Sequence, residues 1–341
     1  MFFIISFVLF FSIFQSSLSN EINLYTTRHY EADYEIYRKF QNITGIKVNV
    51  VSGKSKPLEK RIIEEGKNCK GDLFFLADAG RLYSAEKKNL FQKIKSSLLN
   101  EKIPAHLRND YWYGITKRAR IIFYNPEYIN PERIKNLNYE DLGNKEWNDS
   151  IAIRQSNNVY NQSLVASLIY NLGEKKTSEW LENFVNNFYK TPMGNDRAQI
   201  LAVAAGEAKL AIANTYYYAL MLSGKKGKSQ QEAAKKVKPL FPNKNNRGTH
   251  INISGIGVLK HSPNKINAIK FLEFLVSEEA QTHLSKNSFE YPIVENIEIP
   301  ETLKLISKEF KEDKNTPVEI YGKFQTRSFN LMLEKKWNWI V

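Results

Sequence analysis

Three adjacent tyrosines stand where the sequence ANTYYYALML, residues 213–222, passes from an apolar strand-like run into a helical pattern. Consecutive side chains on a helix differ by about 100° in direction, so the three phenols cannot all face one point. Two can flank a single site while the third packs elsewhere. One interpretation of the motif is core packing combined with surface exposure. The other is a pair of phenol oxygens directed at one ligand.

Other polar side chains stand at similar places, where predicted strands give way to turns and helices. His29 and Tyr30 follow the first predicted strand, and Tyr160 follows a later one in the stretch RQSNNVYNQS. Arg118 and Arg120 lie in KRARIIFYN, at the start of a predicted crossover strand. In open α/β sheets, ligands bind beyond the carboxyl ends of the strands. Each residue alone fits an ordinary structural role, but their shared position predicts a common site.

Adjacent phenol oxygens suit a hard, highly charged metal ion. A phenol has a reference pKa near 10 and is protonated at neutral pH, but a trivalent cation stabilises the phenolate and displaces the proton. Hard cations prefer anionic oxygen to sulfur, and tyrosinate serves as an axial ligand of haem iron. Three or four phenolates would neutralise or slightly overcompensate Fe³⁺, and a nearby arginine would balance the excess negative charge.

Other metals and reactions fit these stretches less well. Acidic residues are scarce in them, which disfavours a Ca²⁺ or Mg²⁺ cage. Cys69 is the one cysteine of the chain, and no Cys/His cluster accompanies it, as a zinc site requires. No nucleophile–base pair or additional Asp/His set adjoins the motifs, as a hydrolase would need. We therefore predict capture of a metal ion and not an enzyme.

The overall composition is that of a folded protein large enough for two domains. The chain has 341 residues, of which 42% are hydrophobic and 25% charged, and both fractions are ordinary for globular proteins. The net charge is +13, but the basic residues are scattered among Glu and Asn and match no nucleic-acid-binding motif. We expect a solvated lysine-rich face and no nucleic-acid partner.

The first nineteen residues, MFFIISFVLFFSIFQSSLS, differ from the rest of the chain. Their apolar run is shorter than the roughly 20 residues that span a bilayer, and small residues follow it, as at a signal-peptide cleavage site. Residues 1–19 are therefore predicted to be a secretory signal peptide. Because no Lys or Arg precedes the apolar run, an uncleaved anchor is the alternative.

Strand-like and helix-like segments alternate at short intervals through the chain, which predicts an α/β fold with mixed, mainly parallel sheets flanked by helices. The pattern occurs twice without a flexible linker, so two lobes joined by crossovers are expected, with a ligand cleft between them. The predicted strands are residues 22–26, 47–52, 72–77, 119–124, 151–154, 210–213 and 251–259.

Long stretches of the chain resemble the ferric-ion-binding proteins of periplasmic ATP-driven importers, especially their cyanobacterial-type branch. The likeness is carried by RHYEADYEIYRKFQNITGIKVNVV, YWYGITKRAR, NVYNQSLVAS, GNDRAQILAVAAGEAKLAIANTYY and RGTHINISGIGVLKHSPN. The resemblance implies a type II periplasmic binding fold, in which two lobes close about a hinge around Fe³⁺. The expected lobes are residues 20–118 with 246–293, and residues 119–245 with 294–341.

By this resemblance, iron is held chiefly by tyrosinates, with His29 as a further candidate ligand and Arg120 as a charge-balancing neighbour. Two positions depart from the family pattern. Tyr218 stands where relatives usually have an aliphatic residue, and Leu220 stands where they often have an arginine. We interpret Tyr218 as a packing residue. The implied tyrosinate ligands are Tyr30, Tyr160, Tyr216 and Tyr217.

The resemblance also implies a role and a location. The protein would be a monomeric substrate-binding protein of the periplasm that carries Fe³⁺ as cargo to an inner-membrane ABC permease with its ATPase. One alternative is a binding protein of the same fold for an anion or a polyamine. A tyrosine-ligated iron enzyme is a further and weaker alternative.

Overall fold

The computed structural model describes residues 20–28 and 31–338 of the chain. Residues 1–19, predicted to be a signal peptide, lie outside the described residues, as do His29 and Tyr30. The described residues form nine strands: β1 (Glu21–Thr26), β2 (Lys47–Ser52), β3 (Leu73–Ala77), β4 (Trp112–Tyr124), β5 (Ile151–Ala152), β6 (Leu210–Asn214), β7 (Lys238–Leu240), β8 (Ile251–Val258) and β9 (Tyr291–Pro292).

Helices connect and flank these strands. None of those described is both long and apolar enough to cross a membrane. Single 3₁₀ turns occur at Gly66–Asn68, Ala105–Leu107, Glu140–Gly143 and Lys145–Trp147. The α-helices are α1 (Glu31–Thr44), α2 (Ser55–Glu65), α3 (Ala79–Lys87), α4 (Ser97–Lys102), α5 (Pro131–Ile134), α6 (Val159–Leu172), α7 (Glu174–Val185), α8 (Asp196–Ala204), α9 (Thr215–Leu222), α10 (Lys228–Lys236), α11 (Lys265–Leu275), α12 (Glu278–Ser288), α13 (Glu301–Lys304), α14 (Glu319–Lys323) and α15 (Gln325–Glu334).

The strands form one sheet with the order β2-β1-β3-β8-β4-β6-β5, and β7 and β9 pair with β4 outside this path. The predicted mixed α/β architecture is confirmed. Pairing is parallel in β1–β2, β1–β3 and β5–β6, whereas the five other described pairings are antiparallel. Parallel strand pairs are thus fewer than predicted, because β4 and β8 are antiparallel to the strands beside them.

Strand β4 links the two halves of the sheet. Its first part, Trp112 to Ala119, pairs with β8, and its second part, Arg120 to Tyr124, pairs with β6. The sequence predicted a strand only from residue 119 onward, so the observed strand begins seven residues earlier. The partner of β4 changes between Ala119 and Arg120, and the expected lobe boundary between residues 118 and 119 stays a prediction.

Two apolar clusters fill the space between the sheet and the helices. One contains Phe40 and Phe271, whose rings meet edge to face with centroids 5.0 Å apart. The other contains Trp180 stacked on Phe184 at 4.3 Å, with Trp337 beside them. Burial of such aromatic side chains is the main favourable contribution to folding, and it fixes the helices against the sheet.

Charged groups are also buried beside the first part of β4. Arg28 donates two hydrogen bonds to Asp33, at 2.9 and 3.0 Å, and a third to Glu290 at 2.6 Å. Glu290 accepts further hydrogen bonds from Thr116 at 2.8 Å and Ser254 at 3.3 Å. Burial by itself would raise the pKa of Glu290, but the adjacent guanidinium groups and these hydrogen bonds hold it below its usual range. Glu290 is therefore an ionised, buried carboxylate.

We predict that Glu290→Gln lowers the free energy of unfolding by about 3–5 kcal/mol at neutral pH, because it leaves buried guanidinium charge uncompensated. The pKa of Glu290 is lower in the folded state than in the unfolded chain. Its stabilisation is therefore present above the unfolded value of about 4.3 and is lost as the pH falls through the folded value. The variant should lack this part of the acid dependence in urea unfolding measured between neutral and acidic pH.

The control is Glu298→Gln, since Glu298 is largely exposed and pairs with Lys304 on the surface. Its free energy of unfolding should change by less than about 1 kcal/mol. Equal stability of Glu290→Gln and the wild type at neutral pH would contradict the charge-balance assignment.

Candidate metal centre

The three candidate ligands that lie in the described residues stand at the starts of two helices. Tyr216 and Tyr217 occupy the first turn of α9, which follows β6 without an intervening loop. Tyr160 is the second residue of α6, and its backbone N–H donates to the capping side chain of Asn158 at 3.1 Å. The N-terminal turn of a helix favours negative charge because its backbone N–H groups are unpaired.

The structure brings the predicted phenols together. The hydroxyl oxygens of Tyr160 and Tyr216 lie 3.2 Å apart and share a hydrogen bond. The rings of Tyr216 and Tyr217 lie against each other, with centroids 4.2 Å apart. Two phenol oxygens at this spacing can bind one cation between them.

Tyr217 is neutral at neutral pH. Burial raises its pKa, as do Tyr160 and Asp196 nearby, whereas hydrogen bonding to Tyr216 and the charge of Arg154 lower it. The net effect is a pKa above the ordinary value of a phenol. A metal ion that binds Tyr217 as phenolate must therefore displace a proton.

The third tyrosine of the motif packs away from this cluster, as predicted. The Tyr218 hydroxyl donates to the backbone carbonyl oxygens of Val237 at 2.7 Å and Ala234 at 3.2 Å, and its ring packs on Phe123. Burial raises its pKa to about 12. Tyr218 thereby joins α9 to the C-terminal end of α10.

Three arginines surround the ring of Tyr160. The guanidinium carbons of Arg118, Arg154 and Arg120 lie 5.3, 5.8 and 6.0 Å from the ring centroid, respectively. Arg118 and Arg120 are buried, and Arg154 is half-buried. These distances are those of cation–π contacts. The sequence had indicated Arg120 and its neighbour Arg118 but not Arg154.

Asp196 holds two of these arginines in place. It accepts from Arg120 and Arg154, each at 3.2 Å, and from the backbone N–H of Asn214 at 2.7 Å. Arg120 also donates to the side-chain oxygens of Asn161 at 2.6 Å and Asn214 at 3.1 Å. This pattern ties the start of α9 and the start of α6 to the same guanidinium group.

Asn214 occupies the position before the first turn of α9, where Asn commonly caps a helix, but its side chain does not cap this one. Its oxygen instead accepts from Arg120. Within the described part of the chain, its Nδ2 and the Nε atom of Arg120 have no hydrogen-bond partner. The cap residue thus serves the arginine cluster and not the backbone of α9.

Arg154 and Asp196 are site residues that the sequence analysis missed. Arg154 ends the predicted strand 151–154, and Asp196 opens α8 in the stretch GNDRAQ. Both therefore stand at strand or helix ends, like the phenols, and this position was the available signal. Their pairing joins residues 42 positions apart, which local sequence patterns do not reveal.

The polar groups of the site are phenols, guanidinium groups, amides and the single carboxylate of Asp196, which is occupied by arginines. In residues 20–28 and 31–338, no group of three or more His, Cys, Asp or Glu side chains is arranged to hold a metal ion. Cys69 is buried in the larger apolar cluster. The donor set found here is therefore that of a hard, highly charged cation and differs from the donor sets of zinc and calcium.

Residues 71–314 match a protein family described as bacterial extracellular solute-binding protein. Iron uptake protein A1 of Synechocystis is 44% identical over 319 residues, which cover 93% of this chain and 87% of that protein. A Trichodesmium protein solved in complex with iron and citrate ligands is 47% identical, with a TM-score of 0.89 over 93% of this chain and 99% of that one. A ferric binding protein from Campylobacter jejuni is 41% identical, with a TM-score of 0.84 over 92% and 99%.

We predict that Tyr218→Phe lowers the free energy of unfolding by about 1–3 kcal/mol, because the carbonyl group of buried Val237 loses its hydrogen-bond donor. Denaturant unfolding of the variant measures the change directly. The matched variant is Tyr128→Phe, at a tyrosine that is 54% exposed, which should leave the stability unchanged. Equal stability of the two variants would contradict the structural role of Tyr218.

Proposed function

The chain belongs to the family of bacterial extracellular solute-binding proteins and has the fold of type II periplasmic ferric-binding proteins, and we propose that it captures Fe³⁺ and delivers it to an ABC permease. The observation that carries the proposal is the 3.2 Å separation of the Tyr160 and Tyr216 hydroxyl oxygens among three guanidinium groups. Relatives named as iron uptake and ferric binding proteins support the same cargo.

The ligands are divided between two lobes in this proposal. Tyr160, Tyr216 and Tyr217 belong to the lobe formed by residues 119–245 and 294–341. Tyr30, with His29 as a further ligand, belongs to the lobe formed by residues 20–118 and 246–293. Iron binds the three clustered phenolates first, and hinge closure then adds Tyr30. The free energy of the added iron–ligand bonds favours the closed state over the open one.

The arginines balance the charge of the loaded site. Four phenolates carry one more negative charge than Fe³⁺ supplies in positive charge, and Arg120, beside Arg118 and Arg154, offsets the excess. Leu220 stands where the family pattern often has an arginine, so this chain lacks a positive charge at that position. Among the described residues, the three arginines near Tyr160 are therefore the groups that would compensate the excess negative charge. Asp78 lies near Arg118, and Asp196 pairs with Arg120 and Arg154, which holds the three guanidinium groups in place.

The proposed role is transport and not catalysis. Among the hydrogen bonds of the described residues, no serine or cysteine side chain contacts a histidine, so a nucleophile–base pair is not evident. The protein would act as a monomer in the periplasm after removal of residues 1–19. Its partners would be Fe³⁺ and an inner-membrane permease with its ATPase.

Ferric titration tests this proposal. We expect the chain that starts at Asn20 to develop a phenolate-to-iron charge-transfer band, which is diagnostic of tyrosinate ligation. Tyr30→Phe, Tyr160→Phe, Tyr216→Phe and Tyr217→Phe should each weaken binding by at least about 100-fold, equivalent to roughly 2.7 kcal/mol. Tyr218→Phe, in the same motif but directed at α10, should bind iron as the wild type does. Unchanged affinity in all four ligand variants would refute the site.

The affinity for iron should fall as the pH falls, because each phenolate must lose its proton to bind the metal. Each proton released at binding contributes about a tenfold loss per pH unit below the pKa of its group. The pKa of Tyr217 is raised in the metal-free protein, so Tyr217 releases a proton when iron binds. In Tyr217→Phe, the slope of the logarithm of the affinity against pH should therefore be smaller by one proton. A pH-independent affinity would indicate a donor set without phenolates.

A further inference from the structure

A lysine-rich segment lies outside the site and takes no part in the proposed capture of iron. Residues 225–238, KKGKSQQEAAKKVK, contain six lysines and one glutamate. All six lysines are exposed, and we term this set of side chains the lysine face. Its members are Lys225, Lys226, Lys228, Lys235, Lys236 and Lys238.

The charge of the lysine face is largely uncompensated. Of the six lysines, only Lys235 lies within 4.0 Å of a carboxylate of the described chain, that of Glu232 at 2.8 Å. Two basic residues of α2, Lys60 and Arg61, differ in this respect, since each pairs with a glutamate one helical turn away. A cluster of unpaired positive charge implies an anionic partner.

The lysine face is held rigidly to the rest of the protein. Ala234 and Val237 are buried beneath it, and the hydroxyl of Tyr218 donates to both of their carbonyl oxygens. Gln231 donates to the carbonyl of Leu222, the last residue of α9, at 2.9 Å. The lysines are thus presented on a fixed helix that is attached to the helix carrying Tyr216 and Tyr217.

The composition of the segment distinguishes between kinds of anionic partner. It contains no Trp, Tyr or Arg, the residues that dominate the binding energy of protein interfaces, in which lysine is depleted. It also has no aromatic side chain on which a nucleic-acid base could stack. Lysine is a flexible point charge that does not require the planar geometry of one defined carboxylate. These properties suit a diffuse layer of negative charge, and clusters of four to eight basic residues are typical of binding to anionic lipid headgroups.

We propose that the lysine face docks the protein on an anionic lipid bilayer. Lys228 and Lys235 are seven residues apart on α10 and so share one side of the helix, while Lys226 and Lys238 flank its two ends. The contact would be electrostatic, because the apolar residues of α10 are two alanines, of which Ala234 is buried and Ala233 is half-buried. Docking would keep the iron-binding protein at the membrane surface. The binding of iron itself does not depend on it.

Vesicle sedimentation tests the proposal with the chain that starts at Asn20, which contains all the described strands and helices and lacks the apolar segment 1–19. We expect binding to phosphatidylglycerol vesicles, weak binding to phosphatidylcholine vesicles, and loss of binding as salt is raised. The triple variant Lys226→Gln, Lys228→Gln and Lys238→Gln should lower the partition coefficient about 100-fold, since each lysine near an anionic surface contributes roughly fivefold.

The control variant removes the same charge elsewhere. Lys93→Gln, Lys135→Gln and Lys304→Gln together change three lysines that each pair with a carboxylate, and vesicle binding should fall far less than in the first variant. An equal loss of vesicle binding in both triple variants would show that binding depends only on the net charge of the protein, and it would overturn the proposal. So would absence of binding to phosphatidylglycerol, or tighter binding to duplex DNA than to vesicles at equal phosphate concentration. Ferric titration of the first variant should match the wild type, which separates this proposal from that of iron capture.

Discussion

The candidate site depends on two arginines that β4 carries into the interior. Arg118 and Arg120 are both about 2% exposed, and a guanidinium group is stable at such depth only when carboxylates and hydrogen-bond acceptors surround it. Asp196 pairs with Arg120. Asp78 and Glu290 lie within 4.0 Å of Arg118. These acids come from both halves of the sheet, so the charge balance fixes how the halves meet along β4. It also fixes the space that Tyr160 occupies.

The arrangement accounts for selection of a trivalent cation. Tyr217 remains protonated at neutral pH because burial raises its pKa, so a weakly charged ion gains little from it. An ion of high charge displaces the protons and converts the cluster into an anionic cage. The arginines then offset the surplus negative charge without entering the donor set. Tyr218 shows the contrast within the same motif, since its hydroxyl is already committed to α10.

Much of the fold and part of the site could be predicted from local pattern. Alternating strand and helix periodicity predicted the α/β class, and the 100° step of a helix predicted that one of the three tyrosines turns away from the other two. The resemblance to ferric-binding proteins identified that tyrosine as Tyr218. The early start of β4, the antiparallel pairings and the pair of Arg154 with Asp196 could not be predicted. Each depends on contacts between distant parts of the chain. Asn214 illustrates the limit, because its position predicts a helix cap while its oxygen bonds to Arg120.

The most direct measurement is a crystal structure of the iron-loaded protein with the metal located by its anomalous scattering. The account predicts one iron atom bonded to the hydroxyl oxygens of Tyr160, Tyr216 and Tyr217, with Tyr30 completing the cluster from the opposite lobe and Arg120 beside the phenolates. Iron bound elsewhere, or bound with these hydroxyl oxygens outside coordination distance, would contradict it.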